Sequence, residues 1–367
     1  MVFVGSDGAA ALRYGAPSVV DASGRHLSAE LALRRRVLLL RAADRRARYP
    51  LVVDPFIQQG AKLTGGGATG PAGDAGSSVS LSSDGNTAIF GGPADNSFVG
   101  AGWVYTRSNG VWSQQGGKLV GTGTTGALTL FGASAGLSSD GNTAIFGGPF
   151  DNTQAGAGWA FTRSGGVWAQ QQKLVGTGAT GSALLGASAG LSSDGNTAIF
   201  GGPFDNTKAG AGWVFTRSGG VWAQQQKLVG TGATGATGEA GVSAGLSSDG
   251  NTAILGAPLD NGGVGAAWVF TRSGGVWTQQ QKLVGTGATG ATGQAGFSAG
   301  LSSDGNTAIL GAPSDNSGVG AAWVFVRSGG VWTQQQKLVG GGETGTGQFG
   351  SVVGLSGDGN TAVVGGR

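Results

Sequence analysis

The sequence predicts an all-β chain built from tandem four-stranded antiparallel modules. Three observations carry this. The string LSSDGN recurs with Asp84, Asp140, Asp194, Asp249 and Asp304, and as LSGDGN with Asp358, at spacings of 56, 54, 55, 55 and 54 residues. A GWVFTRSGGVW-like string follows each of the first five, and a QQ…KL string closes each unit at Lys118, Lys173, Lys227, Lys282 and Lys337. No segment carries a helical apolar period. Short runs of Thr, Val, Trp and Phe stand between glycine turns, which is strand chemistry.

The elements of the first unit follow in order. Residues 77–83 read as strand one, and Asp84-Gly85 as a hairpin turn, because such turns need positive φ. Residues 87–91 are strand two. The loop from Pro93 to Gly100, with Asp95-Asn96, is turn chemistry. Residues 102–107 alternate large and small side chains and form strand three. Ser108-Asn109-Gly110 turns the chain into strand four, residues 111–120, and a Gly/Thr/Ala run leads to the next unit.

Four short strands repeated at this interval describe the blades of a β-propeller. One blade cannot cover both of its faces, whereas stacking around an axis buries them between neighbours. The Ala/Gly/Ser-rich first strand suits a crowded centre. Five blades are complete. Residues 56–63 read as a lone fourth strand and 351–366 as strands one and two, so the expectation is five complete blades plus a split sixth. The sequence reads either as a six-bladed ring lacking one strand or as a piece cut from a larger propeller. Residues 58–367 form this repeat region. Residues 1–57 differ in composition and read as a partial β-rich N-terminal domain.

Composition narrows the function classes. Of 367 residues 79 are Gly, 11% are charged, and none is Cys. Thiolate metal sites, disulfides and cysteine nucleophiles are excluded. Ten Trp and 39% hydrophobic content support a real core. Nine of the Arg fall in residues 1–57 against five acids, leaving thirteen basic and fourteen acidic groups beyond. The repeat region therefore lacks a basic stripe, and no nucleic-acid partner is expected. No apolar run is long enough to span a membrane, and the N-terminus does not read as a signal peptide. The Arg cluster around Arg34, Arg35, Arg36 and Arg41 reads as solvated strand and turn faces.

Catalytic material is sparse. His26 is the single imidazole and lies outside the repeats. The three Glu (Glu30, Glu239 and Glu343) are scattered, and the repeated Asp residues sit in turns. The expectation is that the chain is not an enzyme, with no catalytic residues and no cofactor. The best ligand candidates are the pairs that occur once per blade after strand two: Asp95 and Asn96, Asp151 and Asn152, Asp205 and Asn206, Asp260 and Asn261, Asp315 and Asn316. Their bland reading is an Asx-turn. The stretches beside them vary (SFV, TQA, TKA, GGV and SGV at 97–99, 153–155, 207–209, 262–264 and 317–319), and varied loops on a rigid frame carry specificity. The Arg107 type reads as a cation–π partner of Trp112. The two Trp of each unit read as blade-to-blade packing, with a sugar platform as the sharper alternative.

The pairing of Phe131-Gly132 or Phe349-Gly350 with Gly256-Ala257-Pro258 or Gly311-Ala312-Pro313 resembles the FG-GAP repeat of integrin α-chain propellers and their bacterial relatives. Gly91-Gly92-Pro93, Gly147-Gly148-Pro149 and Gly201-Gly202-Pro203 are near matches. The resemblance covers residues 56–367. It implies an extracellular or cell-surface location and a binding or adhesion role toward a protein or glycan ligand. Many such repeats hold calcium in an Asp-rich loop. Here each LSSDGN loop offers one carboxylate, so calcium is disfavoured and no metal site is expected. The expected function is a non-enzymatic adhesion scaffold. The alternatives are a multivalent carbohydrate-binding propeller and an accessory fragment of a larger secreted enzyme. An open blade edge would favour self-association.

Overall fold

The computed structural model describes residues 2–4, 10–13, 18–34, 37–48, 52–54, 61–70, 74–341 and 345–366. Two compact units emerge, Met1–Leu63 with Arg107–Trp112, and Thr64–Thr106 with Ser113–Arg367.

The N-terminal unit is built of short antiparallel strands. Val2–Val4 pairs with Ala10–Arg13, and Ala29–Arg34 pairs with Val37–Ala42. Ser18–Val20 runs between His26–Leu27 and Val52–Asp54. Asp21 ties the turn between Val20 and His26. Its carboxylate accepts hydrogen bonds from the Ser23 hydroxyl at 2.5 Å and from the backbone N–H groups of Ser23, Arg25 and Arg48. The Ser23 bond and these N–H groups outweigh burial and hold the Asp21 carboxyl well below the usual carboxylate range. His26 is exposed, as are Arg41, Arg45, Arg46 and Arg48.

The second unit has the predicted all-β architecture. Five four-stranded antiparallel sheets follow one another, each with its strands in chain order, arranged like propeller blades. Blade one comprises Ser78–Leu81, Thr87–Gly92, Ala101–Ser108 and Val111–Gln114, its hairpin tip Arg107–Trp112 being the segment grouped with the first unit. Blade two comprises Ser134–Leu137, Thr143–Gly148, Ala157–Ser164 and Val167–Leu174. Blades three to five repeat this over residues 188–228, 243–283 and 298–338. A two-stranded sheet, Val352–Leu355 with Ala362–Gly365, follows. The fourth strand of blade one is shorter than expected. Gly116-Gly117 interrupts it there, with Gly116 at φ 75°, where later blades read Gln-Gln-Gln-Lys-Leu. Of the expected lone strand at 56–63, residues 56–60 lie outside the described residues, and 61–63 form no strand.

Each core lies between blades rather than within one. Ile145 and Ala160 of blade two pack with Phe200, Trp213 and Phe215 of blade three, and the other junctions repeat the arrangement. First strands of adjacent blades lie against one another. A Cβ on Gly190 would lie 3.2 Å from the Gly245 Cα, which explains why small residues are required there.

Polar links repeat at every junction. The Ser78 hydroxyl donates to the Gly132 carbonyl at 2.8 Å, and Ser134, Ser188, Ser243 and Ser298 do the same toward the next blade. Backbone N–H groups of Ser83, Ser139, Ser193, Ser248 and Ser303 donate in turn to the carbonyls of Ser139, Ser193, Ser248, Ser303 and Gly357. Arg217 of blade three reaches Thr143 and Gln171 of blade two, and lies 5.3 Å from the Trp222 ring. Trp222 donates its indole N–H to the same Gln171 oxygen at 2.9 Å.

Candidate functional site

Antiparallel order places the strand 2–3 turns and the linkers between blades at one end of the blade array. The ten candidate ligand residues lie there, and the structure separates each pair. Asp95, Asp151, Asp205, Asp260 and Asp315 are buried. Asp95 accepts the Thr69 N–H at 2.6 Å and pairs with Lys118 at 2.5 Å. Asp151, Asp205, Asp260 and Asp315 pair in the same way with Lys173, Lys227, Lys282 and Lys337 at 2.6–2.7 Å. Lys173, Lys227, Lys282 and Lys337 each also lie 5.1–5.4 Å from the centroid of a strand-three Trp ring. These aspartates therefore anchor the turn to the end of strand four and the incoming linker.

The paired Asn residues are exposed. Each begins a left-handed turn that the sequence did not reveal. Asn152, Thr153 and Gln154 all have positive φ, at 50°, 52° and 72°. The same holds for Asn96, Ser97 and Phe98, and for Asn206, Thr207 and Lys208. In blades four and five glycine fills the costly places: Gly262 and Gly263 in one, Gly318 in the other. The turn hands its carbonyls to the following linker. Phe98 O accepts from Leu130 N–H, Gln154 O from Leu184, Lys208 O from Glu239, Gly263 O from Gln294 and Gly318 O from Gln348.

Thus two positions per junction share a backbone frame while their side chains vary: Phe98, Gln154, Lys208, Gly263 or Gly318 on the turn, and Leu130, Leu184, Glu239, Gln294 or Gln348 on the linker. One junction places opposite charges at these positions. Lys208 Nζ stands 3.6 Å from Glu239 Oε1. Its ammonium also lies 4.5 Å from the centroid of the Phe204 ring. Lys208 is half exposed, while Glu239 keeps only 15% of its side-chain surface. The arrangement sets a proton acceptor and a cation together at a solvent-facing edge. Glu239 was passed over in the sequence as one of three scattered Glu. Aligning the linkers against each other would have marked it, because Leu184 and Gln294 occupy the equivalent place.

The LSSDGN aspartates do other work. Asp84 Oδ1 accepts from the Ser82 hydroxyl and the Asn86 N–H, and Oδ2 from the Asn86 side chain. The Ser82 bond and the two Asn86 bonds hold this carboxyl below its ordinary value, and Asp304 and Asp358 behave alike. At Asp140, Asp194 and Asp249 burial pushes upward but is outweighed by the same Ser and Asn bonds and the neighbouring Arg. Among the described residues no three His, Cys, Asp or Glu side chains converge as a metal cluster would. The strand-three Trp rings are buried, as are Trp222, Trp277 and Trp332, so they pack blades together instead of presenting a flat platform to a sugar.

The fold is similar to several solved structures. A Bacteroides uniformis protein assigned as a 6-phosphogluconolactonase matches with a TM-score of 0.55 and 14% identity, over 96% of this chain and 89% of its own. The periplasmic gluconolactonase of Pseudomonas aeruginosa matches with a TM-score of 0.55 and 15% identity, over 95% and 89%. The hydrazine synthase of Kuenenia stuttgartiensis matches with a TM-score of 0.52 and 11% identity, over 84% and 78%. No family model and no curated protein matches the sequence. These likenesses support a multi-bladed β-propeller and not the FG-GAP integrin family. They also correct two expectations, the non-enzymatic adhesion scaffold and the assignment as no enzyme: the similar propellers include two named as lactonases. The earlier exclusion rested on the lack of a His nucleophile system and of paired Glu, and opening a lactone requires neither. Among the described residues no helix is long and apolar enough to cross a membrane.

Proposed function

We propose that the propeller unit is a hydrolase-type enzyme acting on a small carbohydrate-derived lactone. The observation that carries this is the Lys208–Glu239 pair, the junction where the varied positions of a rigid, repeated frame hold an acid–base couple. The lactonase names of two similar propellers support the substrate class. In this reading Glu239 takes a proton from water, and the water oxygen forms a bond to the lactone carbonyl carbon. The Lys208 ammonium stabilises the charge that develops on the carbonyl oxygen. Collapse breaks the ring C–O bond, and the leaving oxygen takes the proton from Glu239. Phe204 gives the cation an apolar floor.

Acid release from gluconolactone and its 6-phospho form, followed in a pH-stat, tests the proposal. The chain should exceed spontaneous hydrolysis, and Glu239→Gln should lose about a hundredfold of that acceleration. Lys208→Met should lower the rate while leaving the fold intact. No acceleration by the unaltered protein, or unchanged rates in both variants, would overturn it. The compartment named for the Pseudomonas protein supports a location outside the cytoplasm, which fractionation of the producing cells would check.

A further inference from the structure

The fourth strand of each blade is the last in its sheet, and the chain covers part of that edge with its own glutamines. In blade two, Arg163 N–H donates to the Asn142 carbonyl on the strand-two side, and Arg163 stands opposite Trp168. The two residues are therefore a non-hydrogen-bonded pair, and the Trp168 N–H and C=O point outward from the edge. Trp222, Trp277 and Trp332 hold the same place in blades three to five. There the preceding blade supplies a carboxamide. Gln172 Oε1 accepts the Trp222 N–H at 3.0 Å, and its Nε2 donates to the Trp222 carbonyl at 2.9 Å. Gln226 does the same for Trp277, and Gln281 for Trp332, at the same distances. All three Trp are 3% exposed.

Blade two lacks this cover. Its Trp168 is served by blade one, where Gln114-Gln115-Gly116-Gly117-Lys118 stands in place of Gln170-Gln171-Gln172-Lys173. The third Gln is missing, and glycine carries no amide. The other two are engaged: Gln114 Oε1 accepts the Gly66 N–H at 2.9 Å, and Gln115 Oε1 accepts the Trp168 indole N–H at 2.9 Å. Among the described residues nothing bonds the outward Trp168 N–H and C=O. Its ring is half-buried, and Val167 beside it is 70% exposed. The gap is local, made by one glycine pair between two four-stranded blades.

We infer that the Trp168 edge of blade two is a docking site for a glutamine side chain carried on an extended segment of a partner protein. The occupant's chemistry is set by the other three junctions. The edge offers one donor and one acceptor side by side, so its complement must hold both. A carboxamide does, whereas a carboxylate brings no donor and an ammonium no acceptor. The half-buried indole and Val167 add apolar surface for the residues flanking that Gln. The inference does not rest on the proposed lactone chemistry, which uses other residues.

Amide hydrogen exchange on the full chain, read residue by residue by NMR, tests it. The probe is the synthetic peptide Val-Trp-Ala-Gln-Gln-Gln-Lys-Leu-Val, the sequence of residues 167–175. Without peptide, the Trp168 N–H should exchange faster than those of Trp222, Trp277 and Trp332. Saturating peptide should slow Trp168 by about tenfold and leave the other three unchanged. The same peptide carrying Gln172→Leu should have no effect. Gly116→Gln combined with deletion of Gly117 restores the missing glutamine, so Trp168 should then be protected without peptide and indifferent to it. Trp168 protected as well as Trp222 in the unaltered chain would overturn the inference. So would a peptide that leaves Trp168 exchange unchanged, or a Leu-bearing peptide that slows it equally. A restored variant with an unchanged melting temperature and a fast-exchanging Trp168 would also count against it, and if that variant fails to fold the two peptides decide alone.

Discussion

The fate of the five aspartates after strand two turns on a partner distant in sequence. Asp205 is buried and meets Lys227 at 2.6 Å, while its other oxygen accepts the Thr180 N–H at 2.7 Å. Removing one member of such a pair leaves an uncompensated buried charge, which costs about 3–5 kcal/mol. Lys227→Met should therefore lower the unfolding free energy by about that amount, read from denaturant midpoints. The Asp205→Asn/Lys227→Met double variant should recover part of the loss, because the stranded carboxylate is gone. In the sequence, Asp-Asn after Gly-Gly-Pro carries the signature of a local turn, and the turn is real. The burial of its Asp was not legible, since Lys227 lies at the far end of strand four and nothing in either segment names the other. Glu239 was hidden for a related reason. Its contact with Lys208 spans a linker whose length hides the register.

Strands were legible because their two signals are local: alternation of side chains and glycine at positive φ in the connecting turns. The left-handed turn was not, because Thr, Gln and Lys carry no propensity for it. A non-glycine residue in this region costs about 1–2 kcal/mol. It is held here by the Gly156 N–H bonding to the Asp151 carbonyl and by the Leu184 N–H bonding to Gln154. Gln154 sits at φ 72°, where blades four and five place Gly263 at 96° and Gly318 at 91°. Gln154→Gly should relieve that strain but pay the larger chain entropy of glycine in the unfolded state. The net expectation is a stabilisation of about 0.5–1 kcal/mol. The urea midpoint should rise at unchanged slope. A fall in the midpoint would mean that the Gln154 side chain makes a contact worth more than the strain.

Across the whole array, the periodicity of the sequence was enough to give the blade order, because a repeat of this length cannot bury its faces alone. The junction chemistry was only half legible. Trp and Arg were foreseen as a stacked pair, but the Gln171 oxygen that joins Trp222 to Arg217 across two blades was not, since Gln carries no such signature. The same repetition makes acid sensitivity a property of the assembly. Six turns, at Asp84, Asp140, Asp194, Asp249, Asp304 and Asp358, have carboxyls held below their ordinary value. In the first five, the Ser just before the Asp donates the backbone bond to the next blade. A depressed folded-state value means that the unfolded chain binds protons first as the pH falls. The stabilisation is therefore complete above the ordinary carboxylate value of about 4 and is lost as the pH drops through the lower folded values. Urea midpoints taken from about pH 6 down to about pH 2 should hold steady and then fall steeply. Asp194→Asn removes one of the six contributions, so it should lower the midpoint at neutral pH and make the acid slope shallower. An Asp194→Asn profile parallel to that of the unaltered chain would show that these turns do not set the acid limit.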